Sequence, residues 1–137
     1  MQGRAELTEL LVSHGVMPTA QRLEVAQVML TRPQHLSAVQ IIAGIRANGS
    51  RVSKATVYNT LNLFCERGLL RTVEVDPTRL YYDSSTEPHH HFYNVDTGEL
   101  TDIPLEGITL KVDEQLPPGT EPAGVDVVIR IRSAKAS

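Results

Sequence analysis

Cysteine is nearly missing from this chain: Cys65 is the only one among 137 residues. A single thiol excludes an intramolecular disulfide framework and any multi-cysteine zinc knot within the chain, so a metal held here takes nitrogen and oxygen donors. Long apolar runs are missing too, none being long enough to span a bilayer. The N-terminus lacks the basic residues, apolar segment and small-residue cleavage site that a secretory leader combines. The expectation is a cytoplasmic protein with no membrane partner. There is no internal repeat and no low-complexity tract. A large excess of one charge is also lacking, the formal net charge being −3, which argues against a protein that coats nucleic acid non-specifically. The balance is nevertheless uneven: residues 1–85 carry nine Lys and Arg against seven Asp and Glu, and residues 86–137 carry four against nine. Only the first part is suited to face phosphates.

Apolar material for a core is present, at 41% of residues, and the length suits one or two small domains. The first half reads as helices. Leu7, Leu10 and Leu11 recur at helical spacing between Ala5 and His14, Gly15 ends that run, and Pro18 stiffens the turn after it. Thr19 predicts the N-cap of a second helix reaching about Leu30, with Leu23, Ala26, Val28 and Met29 in its apolar stripe and Pro33 closing it. Ser37 followed by Gln40 has the form of a capping box and opens a third helix through Val39, Ile42 and Ile45 to Asn48-Gly49. Ser53 opens a fourth, which runs to a stop at Gly68.

After Gly68 the period changes. Leu70 to Val75 and Arg79 to Asp83 are short β-rich runs joined by Asp76-Pro77-Thr78, a hairpin in which Pro sets φ. Three helices followed by such a ribbon, with a short turn before the last helix, is the order of a winged helix-turn-helix. Beyond Ser84-Ser85-Thr86, the runs His89 to Val95, Leu100 to Ile103 and Val125 to Ile131 predict a small sheet with a turn at Asp96-Thr97-Gly98. Pro104, Pro117, Pro118 and Pro122 restrict any helix to a short segment around Glu106 to Gln115. The expected fold class is α+β: an N-terminal winged helix-turn-helix over residues 1–84 and a small α/β dimerisation domain over 85–137. A sheet of about three strands has open edges and little interior, so pairing with a second copy is the economical way to bury it.

Three of the five histidines stand together in Pro88-His89-His90-His91. On a strand, His89 and His91 point to one face and His90 to the other, and two imidazoles on one face are half a metal site. A plain solvated segment explains the same run, and His14 has no partner at useful spacing. On a helical wheel over Ser53 to Arg67, Val57, Leu61 and Phe64 form the core stripe. Ala55, Asn59 and Asn62 lie opposite, with Thr56 and Tyr58 flanking. That face is polar, short-chained and free of acid until Glu66. It can enter a major groove, where Asn pairs with adenine while hydroxyls such as those of Ser53 and Thr56 reach phosphate. An ordinary solvated face explains the wheel equally well. Arg22, Arg51 and Lys54 add candidate phosphate contacts.

Met17-Pro18-Thr19-Ala20-Gln21-Arg22, His35-Leu36-Ser37-Ala38, and Val52-Ser53-Lys54-Ala55-Thr56-Val57-Tyr58-Asn59-Thr60-Leu61 followed by Gly68-Leu69-Leu70 resemble the ferric uptake regulator superfamily, over nearly the whole chain. Within it, Thr60-Leu61-Asn62, the Pro-His-His-His-Phe-Tyr run and the ending Val127-Val128-Ile129-Arg130-Ile131-Arg132 look most like the iron response regulator branch. The resemblance implies a homodimeric, metal-responsive repressor or activator of metal and haem homeostasis genes, binding palindromic, A/T-rich operators in double-stranded DNA. It implies a phosphate contact for Arg22 and a base contact for Tyr58. Met17 stands where many members carry Arg or Lys, and Asn59 where Arg is frequent, which implies a different base preference.

The resemblance further implies a sensory metal site made of His35, Asp83, His89, His91 and Asp102. Three imidazoles and two carboxylates suit Fe(II) or Mn(II), with Zn(II) able to compete in vitro. Ligands drawn from both domains would fix their relative orientation, and with it the spacing of two recognition helices. Many members hold a structural zinc with two Cys-x-x-Cys pairs. Here Asn94 and Thr97 occupy the first pair's positions and the second pair is absent, so no such zinc is expected and packing alone would hold the dimer. The iron response branch shares that lack and senses haem. With no Cys-Pro motif, haem binding here would rest on histidine. Pro88 stands where some relatives carry a further histidine, so a complete second metal site is not expected. Two other readings use the same residues. One is a peroxide sensor, since Asp102 resembles peroxide-sensing relatives. The other is a small His/Asp metalloenzyme with one position open, which has no need of a winged helix. A non-enzyme is therefore expected. Cys65 falls beside the core stripe and reads as a small buried hydrophobe.

Overall fold

The computed structural model describes residues 3–85 and 89–135, so Thr86 and Pro88 of the reading above lie outside the described residues. The chain divides into two compact units, residues 1–86 and 87–137.

The first unit holds α1 (Arg4–Ser13), α2 (Ala20–Met29), α3 (Ala38–Ala47) and α4 (Lys54–Glu66), the last three beginning directly after the predicted caps Thr19, Ser37 and Ser53. Thr19 Oγ1 accepts the Arg22 N–H at 3.3 Å and Ser53 Oγ accepts the Thr56 N–H at 3.2 Å. Ser37 and Gln40 close a reciprocal capping box at 3.2 and 2.9 Å. Each cap satisfies an amide that the first turn leaves without a partner, worth about 1 kcal/mol. At the far end of α4, Gly68 adopts φ +77° and lets the Leu69 N–H reach the Phe64 carbonyl at 2.9 Å. This left-handed residue stops α4 and turns the chain into the β-hairpin that follows. The helices share one core, with Leu7, Leu11, Met29, Ile41, Ile45, Val57, Leu61 and Phe64 all closed to solvent. A Cβ on Gly44 would meet Val28 Cγ1 at 3.0 Å, so α3 and α2 approach closely only because that position has none.

An antiparallel sheet in the order β1-β3-β2 completes this unit, from β1 (His35–Ser37), β2 (Arg71–Asp76) and β3 (Arg79–Asp83). The hairpin β2–β3 is the expected wing. Its turn is held by Asp76, whose Oδ1 accepts the Thr78 N–H at 2.8 Å and the Thr78 hydroxyl at 2.7 Å, holding the carboxyl below its ordinary range. Strand β1 is an addition to the expected architecture. Three residues carry no legible period, and its last residue, Ser37, is also the N-cap of α3. Its register sets His35 opposite Asp83, and the pairing continues through the Ser84 N–H to the Gln34 carbonyl at 2.9 Å.

The second unit is a sheet in the order β5-β4-β6, from β4 (His90–Asn94), β5 (Leu100–Ile103) and β6 (Val128–Ile131). Strand β5 pairs antiparallel and β6 parallel to the central β4. The runs predicted at His89 and Val125 thus enter their strands late. The short helix expected around Glu106 to Gln115 shrinks to a single 3-10 turn at Leu105–Gly107, and residues 108–127 form neither helix nor strand. The β-branched and period-two pattern Ile108-Thr109-Leu110-Lys111-Val112 disfavours a helix there. The β4–β5 turn is tied by Asn94, whose Oδ1 accepts the N–H groups of Asp96 at 2.9 Å and Thr97 at 3.2 Å. Hydrogen bonds therefore shape the turn at the positions the resemblance associates with the missing cysteine pair.

Candidate metal centre and nucleic-acid interface

Strand alternation aims residues 89 and 91 to one face, and the β4–β5 register puts His91 opposite Asp102. The consequence is a convergence on one oxygen. His89 Nε2 lies 3.1 Å and His91 Nε2 3.4 Å from Asp102 Oδ1, and the two rings sit 4.5 Å apart between centroids at a 60° tilt. Each of the three residues offers a ligand atom within 4.8 Å of the others. Both imidazoles are buried while the Asp102 side chain is 55% exposed. Two buried nitrogens and one accessible carboxylate form a donor set with room for further ligands, which fits a hard-to-borderline divalent cation such as Fe(II) or Mn(II).

His90 makes a different bond. Its Nδ1 accepts the backbone N–H of Val127 at 3.0 Å, beside the His91 N–H donating to the Val127 carbonyl at 3.1 Å. Sequence reasoning left this residue without a role, because its partner is a backbone amide far along the chain. In the first unit, half-buried His35 stands opposite Asp83, which is buried and accepts the Ser85 N–H at 2.8 Å. His14 caps α1, its Nδ1 lying 3.0 Å from the Leu10 carbonyl. Cys65 is half-buried, and burial, with Glu66 beside it, raises its thiol pKa.

On α4, Val57, Leu61 and Phe64 are fully buried, whereas Ser53, Lys54, Ala55, Tyr58, Asn59 and Asn62 are exposed, so the predicted wheel is realised. Ser53 and Thr56 also serve the helix itself, the Ser53 hydroxyl donating to Thr56 Oγ1 at 2.9 Å. Thr56 and Asn59 line a groove with Thr19, Gln21 and Arg22 of the α2 start, while Tyr58 lines another with Val39 and Arg79 and Leu80 of the wing. Arg22 is oriented by donating to the Met17 carbonyl at 3.0 Å. Met17 itself is 71% exposed.

A helix-turn-helix with a β-ribbon wing, followed by a small sheet bearing a His/Asp cluster, defines a class of winged-helix metalloproteins. The chain belongs to the ferric uptake regulator family, whose family model matches residues 13–127. It is 28% identical to the peroxide operon regulator of Bacillus subtilis over 103 residues, 75% of this chain and 71% of that protein. It is 32% identical to the ferric uptake regulation protein of Synechococcus elongatus over 92 residues, 66% of this chain and 60% of that one. Its fold matches that of the ferric uptake regulator from Pseudomonas aeruginosa, solved with manganese, at a TM-score of 0.67 and 22% identity, covering 93% of this chain and 98% of the other. These relatives are regulators and not enzymes, which removes the metalloenzyme reading.

Proposed function

We propose that the chain is a metal-responsive transcription regulator that binds a palindromic, A/T-rich operator as a homodimer. The first unit reads DNA, and the second senses metal and carries the dimer contact. His35, Asp83, His89, His91 and Asp102 are the ligands, and Fe(II) or Mn(II) is the metal. The observation that carries this reading is the convergence of His89 and His91 on Asp102, together with the pairing of His35 and Asp83 at the end of the wing strand. Asp83 and His89 are six residues apart, a reach of about 20 Å at most in an extended chain. A cytoplasmic location accords with this role, and among the described residues no helix is long and apolar enough to cross a membrane.

The test is an operator selected from a genomic library, titrated with the protein under chelation and under anaerobic Fe(II) or Mn(II). Metal should change operator affinity by about fivefold or more. Equal affinity in all conditions would overturn the assignment.

Two finer readings have their own support. The lack of Cys-x-x-Cys pairs and the Val127 to Arg132 ending favour the iron response branch, with haem as a histidine-bound effector, and a haem titration followed by its Soret band tests this. Asp102 and the kinship with a peroxide operon regulator favour peroxide sensing, in which peroxide would be the oxidant, activated at an iron site held by these residues, and would add its oxygen to a ligand histidine. After peroxide treatment of the iron-loaded protein, added oxygen on His35 or His91 in mass spectra supports that version, and unmodified peptides exclude it.

A further inference from the structure

We infer that Arg71 is a competitor of the sensory metal: its guanidinium balances the Asp83 carboxylate in the metal-free protein, and so sets how much metal is needed to engage Asp83. The inference rests on the metal-responsive reading above and names a residue that tunes that same site without being a ligand.

The first observation is a row of three residues across the first sheet. Asp83 ends the central strand β3, and the register places His35 of β1 on one side of it and Arg71 of β2 on the other. Residues directly opposite in an antiparallel pair project to the same face, with Cβ atoms about 4.5–5.5 Å apart. Arg71 therefore stands as near to Asp83 in register as His35 does, at a separation that an arginine side chain spans easily. Sequence spacing hides this relationship, since only the hairpin brings the two residues level.

The second observation is the burial of the carboxylate. Asp83 is 2% exposed, and the Ser85 N–H at 2.8 Å gives its Oδ1 a donor but no full countercharge. A buried carboxylate is costly unless a cation stands beside it. Of the two residues paired with Asp83, Arg71 alone is permanently charged. Arg71 is half-buried, and the next pair on the same face, Val73 opposite Tyr81, is buried. Little water is available there to screen the two charges from each other.

Charge decides the direction of the effect. Arg71 and a divalent cation are both drawn to the negative charge of Asp83, and they repel each other at the separation of neighbouring strands. A site that includes Asp83 therefore binds metal more weakly than its donor atoms alone would allow. The sensory range moves toward higher metal concentration, and the metal-free protein carries no uncompensated buried charge at this point. A residue that merely oriented a ligand would act with the opposite sign, because losing it lowers metal affinity.

The experiment uses the full chain and Mn(II) alone. Isothermal titration should give Arg71→Gln a dissociation constant about tenfold lower than that of the wild type, the size of shift that one neighbouring charge produces. Arg71→Lys, which keeps the charge, should stay within about threefold of the wild type. Without metal, Arg71→Gln should melt several degrees lower, and adding Asp83→Asn should restore the melting temperature, because both charges of the pair are then gone. Should Arg71→Gln alone fail to fold, recovery in the double variant supports the pair and no recovery overturns it. A wild type that binds no Mn(II) overturns the metal-responsive reading itself. A wild type that binds Mn(II), beside an Arg71→Gln that binds it equally or more weakly, overturns the competitor alone.

Discussion

His90 Nδ1 accepts the Val127 N–H at 3.0 Å, so a histidine flanked on both sides by the proposed metal ligands holds β6 against β4. An accepting Nδ1 places the ring proton on Nε2. Removing the acceptor strands an amide in a part-buried position, a cost of about 1–3 kcal/mol. His90→Phe should destabilise the second unit by that amount in urea unfolding. His90→Asn, whose side-chain oxygen can stand near the Nδ1 position, should recover most of the loss. Equal destabilisation by both variants would mean that the ring's packing matters and the hydrogen bond does not.

Arg22 and Asn59 line the same groove with different expected roles. Arg22→Ala should weaken binding to all DNA sequences and reduce the salt slope by about one. Asn59→Ala, like Tyr58→Ala, should chiefly relax base preference, at about 1–3 kcal/mol for the preferred operator. Arg22 also donates to the Met17 carbonyl, so Arg22→Lys should restore the charge without that planar contact and recover only part of the affinity. Binding assays on specific and random duplexes over a salt series separate these outcomes. A uniform loss at every sequence for all the alanine variants would contradict the roles.

Much of this architecture was legible because local signals agreed with tertiary demand. Thr19, Ser37 and Ser53 each had a side-chain oxygen where a helix needed one, and the period-3.6 stripe Val57, Leu61, Phe64 found the core. The alternation at His89 and His91 likewise anticipated their shared face, because a strand's period is independent of what it packs against. Features depending on distant pairing were not legible. Strand β1 exists only because β3 lies alongside it, so nothing within His35–Ser37 announces a strand. The role of His90 depends on an amide thirty-seven positions away. Proline spacing bounded any helix around Glu106 to Gln115 without requiring one, and only a single 3-10 turn at Leu105–Gly107 forms there.

Cys65 yields a pH-dependent expectation. Burial first, and the Glu66 charge second, raise its thiol pKa. The native protein should therefore hold little thiolate near neutral pH, and iodoacetamide should label it slowly until urea exposes it. The sign for stability follows from the same shift. An acid whose folded pKa is raised contributes stability that is intact below the ordinary thiol pKa and lost as pH rises toward the folded value. Labelling at native conditions as fast as that of a free thiol would refute the assignment of a protected, non-sensing cysteine.

The proposed switch depends on His35 and Asp83, because these two of the five proposed ligands belong to the first unit, while His89, His91 and Asp102 belong to the second. Coupling between metal and DNA is a difference in metal affinity between two domain arrangements, typically about 1–3 kcal/mol. A ligand able to engage in one arrangement and not in the other is the simplest source of such a difference. Asp83, tied by the Ser85 amide, already stands opposite His35 within the first unit's sheet, so a metal would clamp this pair to the ligands of the second unit. His35→Ala should therefore retain partial Mn(II) binding through His89, His91 and Asp102 while losing the metal dependence of operator affinity. His89→Ala or His91→Ala should instead lower metal affinity itself, since their convergence on Asp102 is needed in either arrangement. Isothermal titration with Mn(II) reads the first quantity, and operator titration at fixed free metal reads the second. If His35→Ala keeps the wild-type dependence of DNA binding on metal, the clamp is wrong and the metal acts without linking the two units.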